Sequence, residues 1–217
     1  MLKDKDAIVK STTRSLGFEI LKEFAEAAAT VILRSRSMPS KENSTSQIKC
    51  KTHPEILDVI NAQPIIEFMH LVMESQKHID TLINSAGYPF VRMRWNKRFH
   101  EVDKEDNIAS TPANADHTTA ASYSIAKSSV IAITKHDILE YGDKNIRANT
   151  LAVGNFCTEP TFPCMTFPER KKVEMENSMK PWGDTSEVVT FDASVASKDF
   201  AFVHGNKIVI DRGAVML

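Results

Sequence analysis

Tyr123 and Lys127, in the stretch "SYSIAKSS", stand four residues apart. On a helix that spacing stacks two side chains on one face, one turn apart. An ammonium beside a phenol favours the phenolate, drawing a tyrosine pKa down from about 10 towards neutrality, where the ring oxygen can trade protons. Ser110 lies thirteen residues before Tyr123 at the end of "NIAS", where a hydroxyl can hydrogen-bond a substrate oxygen. Far upstream, "IVKSTTRSLGF" joins an apolar run to an amphipathic one and keeps a single glycine, Gly17. Its hydroxyls, its backbone N–H groups and the helix N-terminus that follows suit a phosphate, and Lys10 and Arg14 add positive charge. Arg36 comes just past the next apolar run, where an acidic residue would grip a ribose 2′-hydroxyl and a basic one a 2′-phosphate.

These residues need elements to hold them. "DAIV" reads as a strand, "FEILKEFAEAAA" as a helix with Phe18, Leu21, Phe24, Ala25 and Ala28 on one face, and "TVILRSR" as a second strand. The three make a β-α-β unit, the building block of a parallel sheet. A weak strand is expected around Ile48 to Cys50, a helical stretch from Pro54 to His78 broken or restarted at Pro64, and a buried strand in "IDTLINSAG". "NIAS" offers a short strand. The helix carrying Tyr123 and Lys127 runs from Ala120 to Tyr141 with Gly142 as its C-cap. "IRANTLAV" and "GNKIVID" are strands, and "DTSEVVTFDASVAS" is a helix capped by Asp184 or Thr185 with Glu187 in its first turn. The segment 156–180, rich in proline, methionine and charge, has the character of a lid, and its charged run "PERKKVEMENSMK" reads as a solvated helix face. Strand and helix alternate throughout, so the expected fold is α/β, a doubly wound parallel sheet with the ligand crevice at the carboxyl ends of its strands.

Composition sets the bounds. The 217 residues are 42% hydrophobic and 25% charged, enough for one core, so a single domain over 1–217 is expected. A net charge of −1 gives no electrostatic case for nucleic acid or an anionic membrane. No apolar run is long enough to span a bilayer, and the charged start "MLKDKDAIVK" points to a cytoplasmic protein. Cys50, Cys157 and Cys164 lack the short paired spacings of a zinc site, and the seven histidines include no H-x-x-x-H pair, so no metal is signalled.

With "INSAG" upstream and "IRANTLAVGNFCTE" downstream of the Ser110, Tyr123 and Lys127 set, the pattern resembles the short-chain dehydrogenase/reductase family, classical type, over nearly the whole chain. "KPWGDTSEV" and "GNKIVIDRG" resemble its 3-oxoacyl-carrier-protein reductase and sugar dehydrogenase branches. The resemblance implies a Rossmann-like fold and NADP(H)-dependent hydride transfer between nicotinamide and a carbonyl or secondary alcohol of a small molecule. It makes Tyr123 the acid or base, Lys127 the residue that tunes it and holds the nicotinamide ribose, and Ser110 the group that polarises the carbonyl. It also implies that Ser11, Thr13, Arg14, Ser15, Leu16 and Gly17 hold the pyrophosphate, and that Asn84, Ala86 and Gly87 line the adenosine side. Thr158, four beyond Gly154, then meets the carboxamide. Arg14 and Arg36 favour NADP(H) over NAD(H), and homo-oligomers are common in such a family.

The chain departs from the family pattern in three ways. Lys10, Ser11 and Ser15 replace the threonine and first two glycines of the family's T-G-x-x-x-G-x-G loop, at a cost on the order of 1 kcal/mol for each serine forced to positive φ. Ala28 stands for a glycine after the first helix, Lys51 for an aspartate near adenine, Val153 for a proline, and Arg212 interrupts a D-G-G. Between Asp106 and Asn107 about 25 residues are missing, a helix of about four turns with its connections. Such a loss is expected to uncover part of one sheet face, and so to expose apolar surface, lower stability or alter oligomerisation, weakening a homo-oligomer. It leaves open a second reading, a catalytically impaired or inactive relative that binds nucleotide or a partner, or a variant of an active enzyme that has lost this helix by deletion.

Overall fold

A computed structural model describes residues 1–10, 15–35, 52–56, 62–84, 121–158, 162–163, 165–180 and 182–214. Outside them lie Ser11, Thr13, Arg14, Arg36, Lys51, Ala86, Gly87 and Ser110, together with the expected strands at 48–50 and 107–110. The chain divides into two compact units, Met1–Ala86 with Val189–Asp199, and Gly87–Val188 with Phe200–Leu217.

The first unit is built on β1 (Asp6–Lys10), flanked by parallel β2 (Thr30–Ser35) on one side and β4 (Thr81–Ile83) on the other, with β3 (Thr52–Ile56) outside β2. Ala7, Ile8 and Val9 are consecutive and all buried, the pattern of a strand covered on both faces. Ala7, Val9 and Val31 point one way, into a cluster with Leu21 and Phe24 of α1 (Ser15–Glu26) and Val189 and Ala193 of α5 (Thr185–Ala196). Ile8 and Ile32 point the other way, onto Phe68 and Val72 of α2 (Ala62–Gln76). Helices therefore cover both faces of a parallel sheet, as expected. Strand β3 begins two residues after the expected weak strand ends and takes Pro54 out of the expected helical stretch. An outermost strand tolerates a proline, and Pro64 sits in the first turn of α2, where its missing N–H costs nothing. The β4 strand is not the buried strand expected, because Leu82 is 50% exposed. It pairs with Ile8, so it lies on the α2 face of the sheet, and that face is uncovered there.

Ala28 is not on the apolar face of α1; it lies beyond the helix end with φ 68°. Ala29 N–H donates to Phe24 O and Ala28 N–H to Ala25 O, each at 3.0 Å, the two bonds of a Schellman stop with alanine in its left-handed position. Ala28→Gly is expected to raise stability by about 1 kcal/mol, read as a higher urea midpoint at unchanged slope.

The second unit holds α3 (Ala121–Tyr141), the parallel pair β5 (Thr150–Val153) and β6 (Lys207–Ile210), and α4 (Phe167–Glu176). Thr134 and Thr150 share a hydroxyl hydrogen bond of 2.8 Å that ties α3 to β5. Gly142 does not cap α3: a 3₁₀ turn over Gly142–Lys144 follows, and Asn145 (φ 61°) takes the left-handed position. After β5, Gly154 is required by close approach, since a Cβ there would lie 2.3 Å from Asp211 Cβ.

Helix α5 starts at Asp184, which accepts from Ser186 N–H at 2.8 Å while its own N–H donates to Glu187 at 2.7 Å. Asp192, 7% exposed, carries an oxygen with no hydrogen-bond partner among the described residues, and burial pushes its carboxyl up to about 7. The folded chain then holds this proton more tightly than the unfolded one. The stability it gives is full below pH 4 and is lost as pH rises through 7. Asp192→Asn is expected to gain up to about 4 kcal/mol at pH 8 and nothing near pH 4, checked by urea denaturation at both pH values.

Candidate active site

In the first unit, the parallel register sets the carboxyl ends of the strands side by side, with Lys10 opposite Arg34 and Val9 opposite Ile83. Asn84 follows β4 directly and is exposed at that edge. Helix α1 begins at Ser15, so Ser15, Leu16 and the buried Gly17 form its first turn, where backbone N–H groups have no helical acceptor. That turn contains no acidic residue. An anion at this N-terminus meets the positive end of the helix dipole and no like charge, so these residues fit a pyrophosphate.

In the second unit, Tyr123 and Lys127 lie one turn apart on α3. Lys127 is 3% exposed, and burial pushes its ammonium down to about 8 from 10.5. At neutral pH it is still largely charged. Gly154 and Thr158 follow the carboxyl end of β5, with Thr158 half-buried and its carbonyl accepting from Phe162 N–H at 2.9 Å. Burial and the Asp184 charge push the Cys157 thiol beside it up, against the opposing charge of Arg170.

Some polar groupings had no signal in the sequence. Asp6, His78 and Asp80 gather at the opposite, amino-terminal edge of the first sheet, with His78 Nε2 3.2 Å from Asp80 and 3.9 Å from Asp6. Burial would raise the Asp80 carboxyl, but hydrogen bonds from Lys5 and the Asp6 N–H, with the charges of Lys5 and His78, hold it below its usual value. The group ties β1 to β4. Nothing in the spacing of residues 6, 78 and 80 announces it, because sheet pairing alone brings them together. The same holds for Arg212, which reaches both oxygens of Glu187 at 2.7 Å.

The family model described as short chain dehydrogenase matches residues 5–111, and the one described as Enoyl-(Acyl carrier protein) reductase matches 107–215. The chain belongs to the short-chain dehydrogenase/reductase family. The two matches meet where the missing segment was placed, after Asp106. One relative in this family, the 3-oxoacyl-[acyl-carrier-protein] reductase FabG of Thermotoga maritima, is 25% identical, with 99% of both chains covered. That alignment runs over 248 residues against the chain's 217, so it contains positions with no residue here. Among solved structures, a 4-hydroxyisoleucine dehydrogenase complexed with NADH superposes with a TM-score of 0.84 at 19% identity, covering 97% of this chain and 98% of that one. RhlG of Pseudomonas aeruginosa, solved as an NADP active-site complex, superposes with a TM-score of 0.84 at 18% identity, covering 98% and 97%. The reductase fold is thus retained in a chain shorter than its relative. The family binds nicotinamide cofactors.

Keeping Lys127 buried costs the fold stability. The folded chain holds this proton less tightly than the unfolded chain, so the penalty is full below pH 8 and vanishes as pH passes 10.5. Lys127→Met is expected to raise stability by up to about 3 kcal/mol at pH 7, to raise it not at all at pH 11, and to abolish turnover. Denaturation at the two pH values and a reductase assay check this.

Proposed function

We propose that this short-chain dehydrogenase/reductase is a single Rossmann-like domain that uses NADP(H) to interconvert a small-molecule carbonyl and its secondary alcohol. The observation that carries the reading is the buried cation of Lys127 one helical turn from Tyr123. Its charge favours the Tyr123 phenolate and so brings the phenol into proton exchange near neutrality. In the reducing direction Tyr123 Oη gives its proton to the carbonyl oxygen as the carbon accepts a hydride, and in the oxidising direction it takes that proton back. Ser110 hydrogen-bonds the same oxygen and lowers the cost of the charge that develops there. The nicotinamide supplies or accepts the hydride when bound. The first turn of α1 takes the pyrophosphate with Ser11, Thr13 and Arg14, while Asn84, Ala86 and Gly87 line the adenosine side. Arg14 and Arg36 select the 2′-phosphate, and Lys127, Gly154 and Thr158 hold the nicotinamide end. The segment 156–180 closes over the substrate.

The setting proposed is the cytoplasm, and the assembly a homo-oligomer. Support for assembly comes from α3, where Ile125 is 50% and Leu139 86% exposed on one side of the helix, apolar surface that a second chain would cover. A second reading, nucleotide binding without turnover, draws on the serines at 11 and 15 and on the shortened chain.

Fluorescence titration with NADPH and NADH tests the proposal. Saturable binding with NADPH preferred is expected, and Tyr123→Phe is expected to lower turnover by about 100-fold or more while leaving binding intact. A folded chain that binds neither nucleotide overturns it. Tight binding with no turnover on a panel of carbonyls selects the second reading.

A further inference from the structure

The excursion that leaves β5 returns beside its own start. Phe156 and Gly183 form a parallel bridge, with Cys157 N–H donating to Gly183 O at 3.0 Å and Gly183 N–H donating to Asn155 O at 3.1 Å. A Cβ at 183 would lie 3.2 Å from Phe156 Cβ, so the two ends touch and each fixes the other. Thr158 sits just inside this closure, and its carbonyl is held by Phe162 N–H. The Phe162 ring is in turn held on two sides. The Arg170 guanidinium lies 4.2 Å from its centroid, and the Trp182 ring meets it edge-on at 5.3 Å and 88°.

Arg170 binds this cluster at two further points. Its Nε donates to Met165 O at 3.0 Å, and its carbonyl accepts the Trp182 indole N–H at 3.2 Å. Its neighbours Lys171 and Lys172 are exposed, whereas Arg170 is half-buried. A planar guanidinium that stacks on a ring while donating in its own plane is not replaced by an ammonium.

We infer that Arg170 is a positioning residue: by clamping Phe162 it holds Thr158 in place for the carboxamide of the nicotinamide. The inference rests on the function proposed above. Arg170 itself touches neither cofactor nor substrate, and its effect passes from the guanidinium to the Phe162 ring and from the Phe162 N–H to the Thr158 carbonyl.

The test compares NADPH with adenosine 2′,5′-bisphosphate, which lacks the nicotinamide, by fluorescence titration of the full chain. Arg170→Ala is expected to weaken NADPH by about tenfold and to leave the bisphosphate within about twofold. Arg170→Lys is expected to recover less than half of the loss, since charge alone does not restore the stack or the bond to Met165. Phe162→Leu, which keeps apolar volume in the cluster, is expected to show the same split if the alanine variant does not fold. Equal affinities in wild type and variants, or equal weakening of both ligands, overturn the inference. A wild-type chain that binds neither ligand overturns the nicotinamide reading itself, and the inference with it.

Discussion

The structure of the first unit depends on β1 being buried on both faces. Three consecutive apolar side chains, Ala7, Ile8 and Val9, alternate across a strand, so no single layer can cover them. Leu21 and Phe24 of α1 take one side with Val189 and Ala193 from late in the chain, and Phe68 and Val72 of α2 take the other. Parallel pairing goes with it, because the β1–β2 and β3–β4 connections each carry a helix back across the sheet. All the strands then end at one edge, where α1 starts and Asn84 emerges. The shared edge of strand ends and the start of α1 are thus a consequence of how β1 is buried.

The same fold keeps glycine geometry at positions that have lost glycine. Ala28 ends α1 at φ 68° and Arg212 follows β6 at φ 53°, each costing on the order of 1 kcal/mol of backbone strain. At Ala28 the Schellman bonds hold the turn, and the partner contact of the motif, Phe24 with Ala29, lies inside the core. Arg212 is held differently. Its guanidinium reaches both Glu187 oxygens, and Glu187 also closes the cap of α5 through the Asp184 N–H. The hydrogen bond from Arg212, with that from Asp184, keeps the Glu187 carboxyl below its usual range. A strained residue at the end of β6 thus stabilises the start of the helix that packs on β1, and offsets part of its own cost there.

What could be read in the sequence was what periodicity and local chemistry encode. The β1-α1-β2 unit, α3, α5 and β6 each carry an apolar pattern long enough to declare itself, and the Tyr123 to Lys127 spacing survives because both residues lie on one helix. Strand β3 takes the start of the stretch that reads as helical from Pro54, because "THPEI" has neither alternation nor a β-branched run to announce a strand. The end of α3 was misplaced because an intervening 3₁₀ turn shifts the left-handed residue from Gly142 to Asn145. Asp6, His78 and Asp80, and likewise Phe162, Arg170 and Trp182, are assembled by chain closure rather than by spacing. No local window contains them.

Two buried ionisable groups, Lys127 and Asp192, show the same physics acting on opposite charges. Burial favours the neutral form of each, drawing the ammonium down to about 8 and the carboxyl up to about 7. Lys127 remains largely charged at neutral pH, on the turn of α3 that follows Tyr123. Asp192 stands on α5 between the buried Val188 and Val195, and one of its oxygens has no hydrogen-bond partner among the described residues. Near pH 7 it divides between its two forms. A valine at this position would continue the apolar face that Val188 and Val195 begin. Burial thus costs the fold stability at both positions, at Lys127 in full below about pH 8 and at Asp192 in full above about pH 7.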